Sequence, residues 1–114
     1  MTAVDPAADL SPDEAFSLHQ AGAVTLLDVR ELDEWVKGHA AGAVHIPLAE
    51  LDPGTVDTAK PIVTVCRSGS RSGKAAAKLS EAGFTVYNMA GGMSAWEKLG
   101  LPVQTDDGHP GTIA

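Results

Sequence analysis

The sequence predicts an α/β fold: a sheet with helices on both faces. Two observations carry this expectation. Short apolar, β-rich runs at 23–29, 43–46, 61–65 and 84–88 alternate with segments of helical pattern, and such alternation builds α/β sheets. Pro61–Val65, PIVTV, is rich in β-branched residues and has no polar face, as expected of a central parallel strand buried on both sides. At 114 residues the chain suits one domain with its own core.

The elements follow in chain order. Residues 1–8 read as a flexible leader, 9–101 as the domain and 102–114, polar with Gly and Pro, as a flexible tail. Ser11-Pro12-Asp13-Glu14 is a helix start, with serine as N-cap, proline at the first helical position and Glu14 completing a capping box. Ala15, Phe16 and Leu18 form its apolar side, and Gly22 closes it. AVTLLDV at 23–29 is a buried strand. Glu31–Lys37 is a short helix ended by Gly38, and Ala43–Ile46 a small strand stopped by Pro47. Leu48–Leu51 forms a helical turn before the turn signal Asp52-Pro53-Gly54. After the strand at 61–65, residues 71–82 read as a helix with Ala75, Ala76, Leu79 and Ala82 on one face and Gly83 as its stop. Phe84–Asn88 is a strand, Gly91-Gly92 a tight turn and Met93–Leu99 a last helix.

Composition narrows the function classes. The formal net charge is −7, which disfavours nucleic acid and anionic membrane as partners. The N-terminus lacks the basic and apolar regions of a secretory signal, and no apolar run approaches the roughly 20 residues that span a bilayer. A cytoplasmic location is expected, since a single cysteine cannot form an internal disulfide. One Cys and four scattered His offer no zinc-type ligand spacing, so no metal is expected. CxxC and GxxxxGK[ST] are absent, which removes thioredoxin-type redox chemistry and the P-loop.

The one cysteine, Cys66, opens the segment CRSGSRS between a strand and a helix. A loop running into a helix N-terminus aims backbone N–H groups and the positive end of the helix dipole at one spot. Ser68, Gly69, Ser70 and Ser72 are small enough for a tight curl, and Arg67 and Arg71 add cations. A cysteine pointing into this cradle is favoured as thiolate, with a pKa lowered from about 8.5 toward roughly 3.5–7.5. Free cysteines are also among the most buried residue types, so a packing role competes with a reactive one. The cradle suits attack on phosphate, arsenate or a sulfane sulfur, and a preformed thiolate needs no neighbouring general base.

Three stretches, LLDVRELDEWVKGHAAGAVHIP, CRSGSRS and NMAGGMSAW, together resemble the rhodanese, or thiosulfate sulfurtransferase, homology domain. They occur in that family's order, and the resemblance spans roughly residues 9 to 101. It implies a single-domain rhodanese-like fold with a mostly parallel five-stranded central sheet. It further implies that Cys66 carries a sulfane sulfur as a persulfide, taken from a donor such as thiosulfate and passed to cyanide or a thiol acceptor, with an acceptor protein as a further option. The amides from Arg67 to Ser72 would hold the anion, Arg67 and Arg71 would orient the donor, and no cofactor is required. Sulfurtransferases of this fold have C-x4-R, as in Cys66 to Arg71, whereas the related phosphatases and arsenate reductases have C-x5-R. Those oxyanion enzymes, and a sulfur-relay or regulatory docking module, stand as alternatives. Asp28 and Arg30 are expected beside the loop in supporting roles, Asp28 accepting from loop amides or hydroxyls and Arg30 pairing with Glu34. Trp35 packs or rims the pocket, His39 braces structure, Gly91-Gly92 brings the chain close to the loop and Trp96 packs the last helix down. Lys74 reads as a solvated helix lysine, and His19, His45 and His109 as surface or packing residues. A monomer is expected.

Overall fold

The computed structural model describes residues 9–57 and 59–113; the expected leader at 1–8 lies outside them. Nine elements follow in order: β1 (Asp9–Leu10), α1 (Pro12–Gln20), β2 (Thr25–Asp28), α2 (Leu32–Lys37), β3 (Val44–His45), β4 (Ile62–Val65), α3 (Ser70–Glu81), β5 (Val86–Met89) and α4 (Gly92–Lys98). Short 3-10 turns occupy Leu48–Glu50 and Pro53–Thr55. All five strands pair in parallel, in the spatial order β1-β5-β4-β2-β3. The α/β expectation and the five-stranded sheet both hold.

β1 has no counterpart in the residue-by-residue reading. It is two residues long, pairing Asp9 with Asn88 and Leu10 with Met89, and two residues carry no period to detect.

Every residue of β4 is buried, because β2 and β5 flank it and both faces are covered. Leu26, Val63, Val65 and Met89 pack on one face with Ala15 of α1 and Met93 and Trp96 of α4. Leu27, Ile62 and Val86 pack on the other with Ala75, Ala76 and Leu79 of α3. In α3, Ser72, Ala75, Ala76 and Leu79 recur at helical spacing and are all buried, which seats the helix along the sheet. Each fully buried Leu, Ile, Val or Met side chain of this core contributes about 1.5–3 kcal/mol. The capping box at Ser11 and Glu14 forms in both directions, at 3.1 and 2.9 Å.

Strand order places the functional region. β3 and β4 lie on opposite sides of β2, so the chain reverses direction across the sheet there. Ligands of open α/β sheets bind at such a switch point, beyond the carboxyl ends of the strands. Asp28 stands in register with Val65, which puts Asp28-Val29-Arg30 beside Cys66.

Residues 102–113 differ from the frayed ending that their composition suggests. Gln104 and His39 exchange two backbone hydrogen bonds of 2.9 Å, and Thr112 N–H donates to the Lys37 carbonyl at 3.0 Å. Trp96 Nε1 donates to the Pro102 carbonyl at 2.8 Å, while Leu101, Val103 and Ile113 pack against the α1/α4 core. Scattered apolar anchors and backbone pairing hold this segment, and neither leaves a periodic signal. Among the described residues, no helix is long and apolar enough to cross a membrane.

Candidate active site

The loop after β4 is shaped from outside by α4 and β5. Met93 N–H donates to the Cys66 carbonyl at 2.8 Å, and Ser94 N–H to the Arg67 carbonyl at 2.9 Å. This approach needs glycine: a Cβ on Gly92 would fall 2.4 Å from the Cys66 carbonyl oxygen, and Gly92 itself has φ +59. Gly69 takes the left-handed conformation, φ 104, as the N-cap of α3, where a side chain would be strained. Its carbonyl accepts from Asn88 Nδ2 at 3.1 Å.

With these carbonyls engaged by α4 and Asn88, the loop amides turn to the sulfur. Gly69 N–H donates to Cys66 Sγ at 3.0 Å, and Ser72 Oγ lies 3.2 Å from it. Cys66 has no exposed surface, and it packs with Val29, Ala75 and Ala76 on its apolar side. Burial pushes the thiol pKa up. The Ser72 hydroxyl and the amides of Ser72, Gly69 and Ser68 pull it down further, and the net shift is below the ordinary thiol value. The dipole of α3 acts in the same direction. Burial alone fits a packing cysteine; donors converging on its sulfur fit a nucleophile.

The two loop arginines are placed differently. Arg67 is exposed, as are Ser68, Ser70 and Lys74. Arg71 is fastened to Glu34 of α2 by two parallel bonds, Nη1 to Oε1 at 2.6 Å and Nη2 to Oε2 at 2.9 Å. The Arg71 guanidinium and the Glu31 amide hold the Glu34 carboxyl down at about 2, against the opposing effect of burial. Glu34 and, secondarily, the charge on Cys66 hold Arg71 more firmly protonated.

Asp28 and Arg30 are both buried and pair with each other. Arg30 Nη2 donates to Asp28 Oδ2 at 2.8 Å, Nε lies 3.0 and 3.1 Å from the two carboxylate oxygens, and the Arg30 amide adds a 3.0 Å bond to Oδ1. Nη2 also donates to the Gly38 carbonyl at 2.8 Å. This corrects two expectations. Asp28 accepts from Arg30, with no bond to a loop amide or hydroxyl among the described residues, and Arg30 meets Glu34 only through a long 3.5 Å contact with its backbone carbonyl. Glu34 sits at the third position of α2, where its carboxylate caps the Glu31 amide at 3.0 Å and reaches out to Arg71.

The remaining aromatic and imidazole groups brace this end of the sheet. Trp35 stacks between His39 and His45, with ring centroids 3.6 and 4.7 Å apart. His39 Nδ1 donates to the Trp35 carbonyl at 2.8 Å, and His45 Nε2 to the Arg30 carbonyl at 2.7 Å. His19 Nε2 binds the Ala41 carbonyl, and Trp96 meets Phe16 edge-to-face at 5.6 Å.

Sequence reasoning missed two residues of the site. Asn88, buried in β5, contacts both Gly69 and Ser72. Its signal was a polar side chain within the apolar run FTVYNM, since buried polar groups occur with partners. Glu34 as the partner of Arg71 left no local signal, being 37 residues away.

Comparison with known proteins agrees with this fold. A thiosulfate sulfurtransferase, GlpE, of Actinobacillus succinogenes is 32% identical over 85% of this chain and 90% of its own length. An uncharacterized protein of Synechocystis is 36% identical over 91% of this chain, which spans 60% of that protein. The crystal structure of a rhodanese-related protein from Thermoplasma volcanium superposes with a TM-score of 0.79 at 30% identity, covering 84% of this chain and 96% of the other. The rhodanese-like domain family matches residues 11–99, and the chain belongs to that family.

Proposed function

We propose that the protein is a sulfurtransferase that carries sulfane sulfur on Cys66. The observation that carries this reading is the convergence on Cys66 Sγ of the Gly69 amide and the Ser72 hydroxyl, at 3.0 and 3.2 Å, in a C-x4-R loop. Relatives named as thiosulfate sulfurtransferases support it.

The thiolate attacks the outer sulfur of thiosulfate. A Cys66 Sγ–S bond forms, the bond to the sulfonyl sulfur breaks, and sulfite leaves with its electron pair. Cyanide or a thiolate then attacks the terminal persulfide sulfur, and Cys66 departs as the thiolate. No external oxidant or reductant enters with cyanide as acceptor. The amides of Ser68, Gly69 and Ser72 hold the negative charge throughout, fixed in place before reaction. Arg67, exposed at the mouth, draws in the anionic donor, and Arg71 keeps a cation near the sulfur while Glu34 fixes its orientation. Asp28 and Arg30 pin the end of β2 beside the loop. Because Cys66 has no exposed surface, the loop must part for the donor to reach Sγ.

Steady-state thiocyanate production from thiosulfate and cyanide tests this reading. A double-displacement pattern, with parallel double-reciprocal lines, is expected from the wild type and no turnover from Cys66→Ser. Hydrolysis of an aryl phosphate without thiocyanate formation would favour oxyanion chemistry instead. Slow turnover on thiosulfate, with fast transfer between persulfides, would identify a persulfide as the donor.

A further inference from the structure

Ser72 is shared between two acceptors. Its Oγ lies 3.2 Å from Cys66 Sγ and 2.5 Å from Asn88 Oδ1, and all three residues are buried. Asn88 cannot be turned around, because its Nδ2 donates to the Gly69 carbonyl at 3.1 Å; its oxygen therefore faces Ser72 as an acceptor. A serine hydroxyl has one proton. It can be given to Asn88 or to the sulfur, but not fully to both.

The two arrangements correspond to the two states of the cysteine. When Cys66 is a thiol, its S–H needs an acceptor. Gly69 N–H is a donor, so Ser72 Oγ is the one lone-pair partner of Sγ among the described residues. The chain then runs S–H to Oγ and O–H to Asn88 Oδ1. When Cys66 is a thiolate, the hydroxyl turns to the sulfur and Asn88 Oδ1 loses its donor.

We propose that Asn88 is a positioning residue that competes with the Cys66 thiolate for the Ser72 proton, so that the Ser72 hydroxyl switches partner as the sulfur gains or loses its charge. On the sulfur-transfer reading, which this inference deepens, the switch follows the load. In the persulfide the charge moves to the terminal sulfur, Sγ becomes a weak acceptor, and the hydroxyl returns to Asn88. Each nucleophilic cycle swings it once each way. The charged groups of the elements packed against the switch are Arg71 of α3 with its partner Glu34 of α2, the Asp28–Arg30 pair at the end of β2, Arg67 in the loop and the exposed Asp9 of β1, in register with Asn88. Among the described residues, none of them hydrogen-bonds to Ser72 Oγ or Asn88 Oδ1.

The sign of one substitution separates competition from support. If Asn88 only props the loop through Gly69, its removal loosens the amide cradle and raises the thiol pKa. If it competes for the proton, removal lowers it. The experiment is the pH dependence of Cys66 alkylation by iodoacetamide, with no sulfur donor present, in wild type, Asn88→Leu, Ser72→Ala and the double variant. Asn88→Leu is expected to lower the pKa by about half a unit and Ser72→Ala to raise it by about one unit, a tenfold loss of thiolate at a given pH. The double variant should match Ser72→Ala, because under competition the effect of Asn88 on the sulfur runs through that hydroxyl rather than through its contact with Gly69. A rise in Asn88→Leu, or an equal fall without Ser72, would overturn the proposal. Should Asn88→Leu fail to fold, the wild type decides. The Asn88 carboxamide carbon should titrate at the Cys66 midpoint and lose that titration in Ser72→Ala; a carbon indifferent to Cys66 ionisation refutes the switch. Neither readout requires sulfur transfer, so a chain that fails to turn over thiosulfate leaves this test intact.

Discussion

Two arginines at the carboxyl end of the sheet each hold a carboxylate, and they do so in opposite surroundings. The Arg30 and Asp28 side chains are 0% and 1% exposed. Those of Arg71 and Glu34 are 33% and 17% exposed. The first pair is satisfied all round, down to the Gly38 carbonyl, and no charge is left over for a ligand. The second lies across the loop from α2 to α3, with one edge open to solvent and the sulfur within reach of its charge. The same chemical pairing thus pins the strand ends in one place and orients the loop in the other. Burial decides between the two.

Substitutions should separate these roles, beginning with the largest effect. Asp28→Asn leaves Arg30 buried without its anion, and unfolding by urea should show a loss of about 3–5 kcal/mol. A loss below about 1 kcal/mol would erase the distinction between the pairs. Arg71→Ala should cost less than Asp28→Asn in the same assay, because its pair is partly exposed, but slow persulfide formation from thiosulfate by about tenfold or more, since a charge-assisted contact near the reacting anion is removed. An unchanged rate with lost stability would make Arg71 a second structural pin.

The acid titration of Glu34 is a finer probe. Its folded pKa of about 2 lies below the usual carboxylate value. The pair therefore contributes its stability above the unfolded pKa of about 4.3 and loses it as pH falls through about 2. The Glu34 carboxyl carbon should show a midpoint near 2, and a clearly higher one in Arg71→Ala, where only the Glu31 amide still caps it. An ordinary midpoint in the wild type would mean the two parallel bonds do not persist in solution. The smallest expected effect concerns access. Cys66 is covered, so a bulky maleimide should alkylate it several-fold more slowly than iodoacetamide, once each is normalised to a free thiol. Equal normalised rates would show that the loop stands open.

The two pairs also show what the sequence could and could not disclose. Asp28 and Arg30 were legible as site neighbours because they end a strand, and strand ends face ligands in α/β sheets. Their partners were not, since Asp28 at position i−2 competes for Arg30 with Glu34 at position i+4, and only burial decides. The cradle was legible because strand, small residues and helix are contiguous in CRSGSRS. Asn88, β1 and the docked segment 102–113 depend on contacts between distant parts of the chain, which leave no local period. Where function is built from contiguous backbone the sequence reads well; where it is built across elements, the fold must be seen.

The most direct test is the intact mass of the protein after incubation with thiosulfate, with Cys66→Ser alongside. The account predicts a gain of one sulfur atom on the wild type, removed by cyanide, and no gain on the variant. A wild type that stays unmodified by thiosulfate and by a low-molecular-weight persulfide, or a variant that gains the same sulfur, would contradict it.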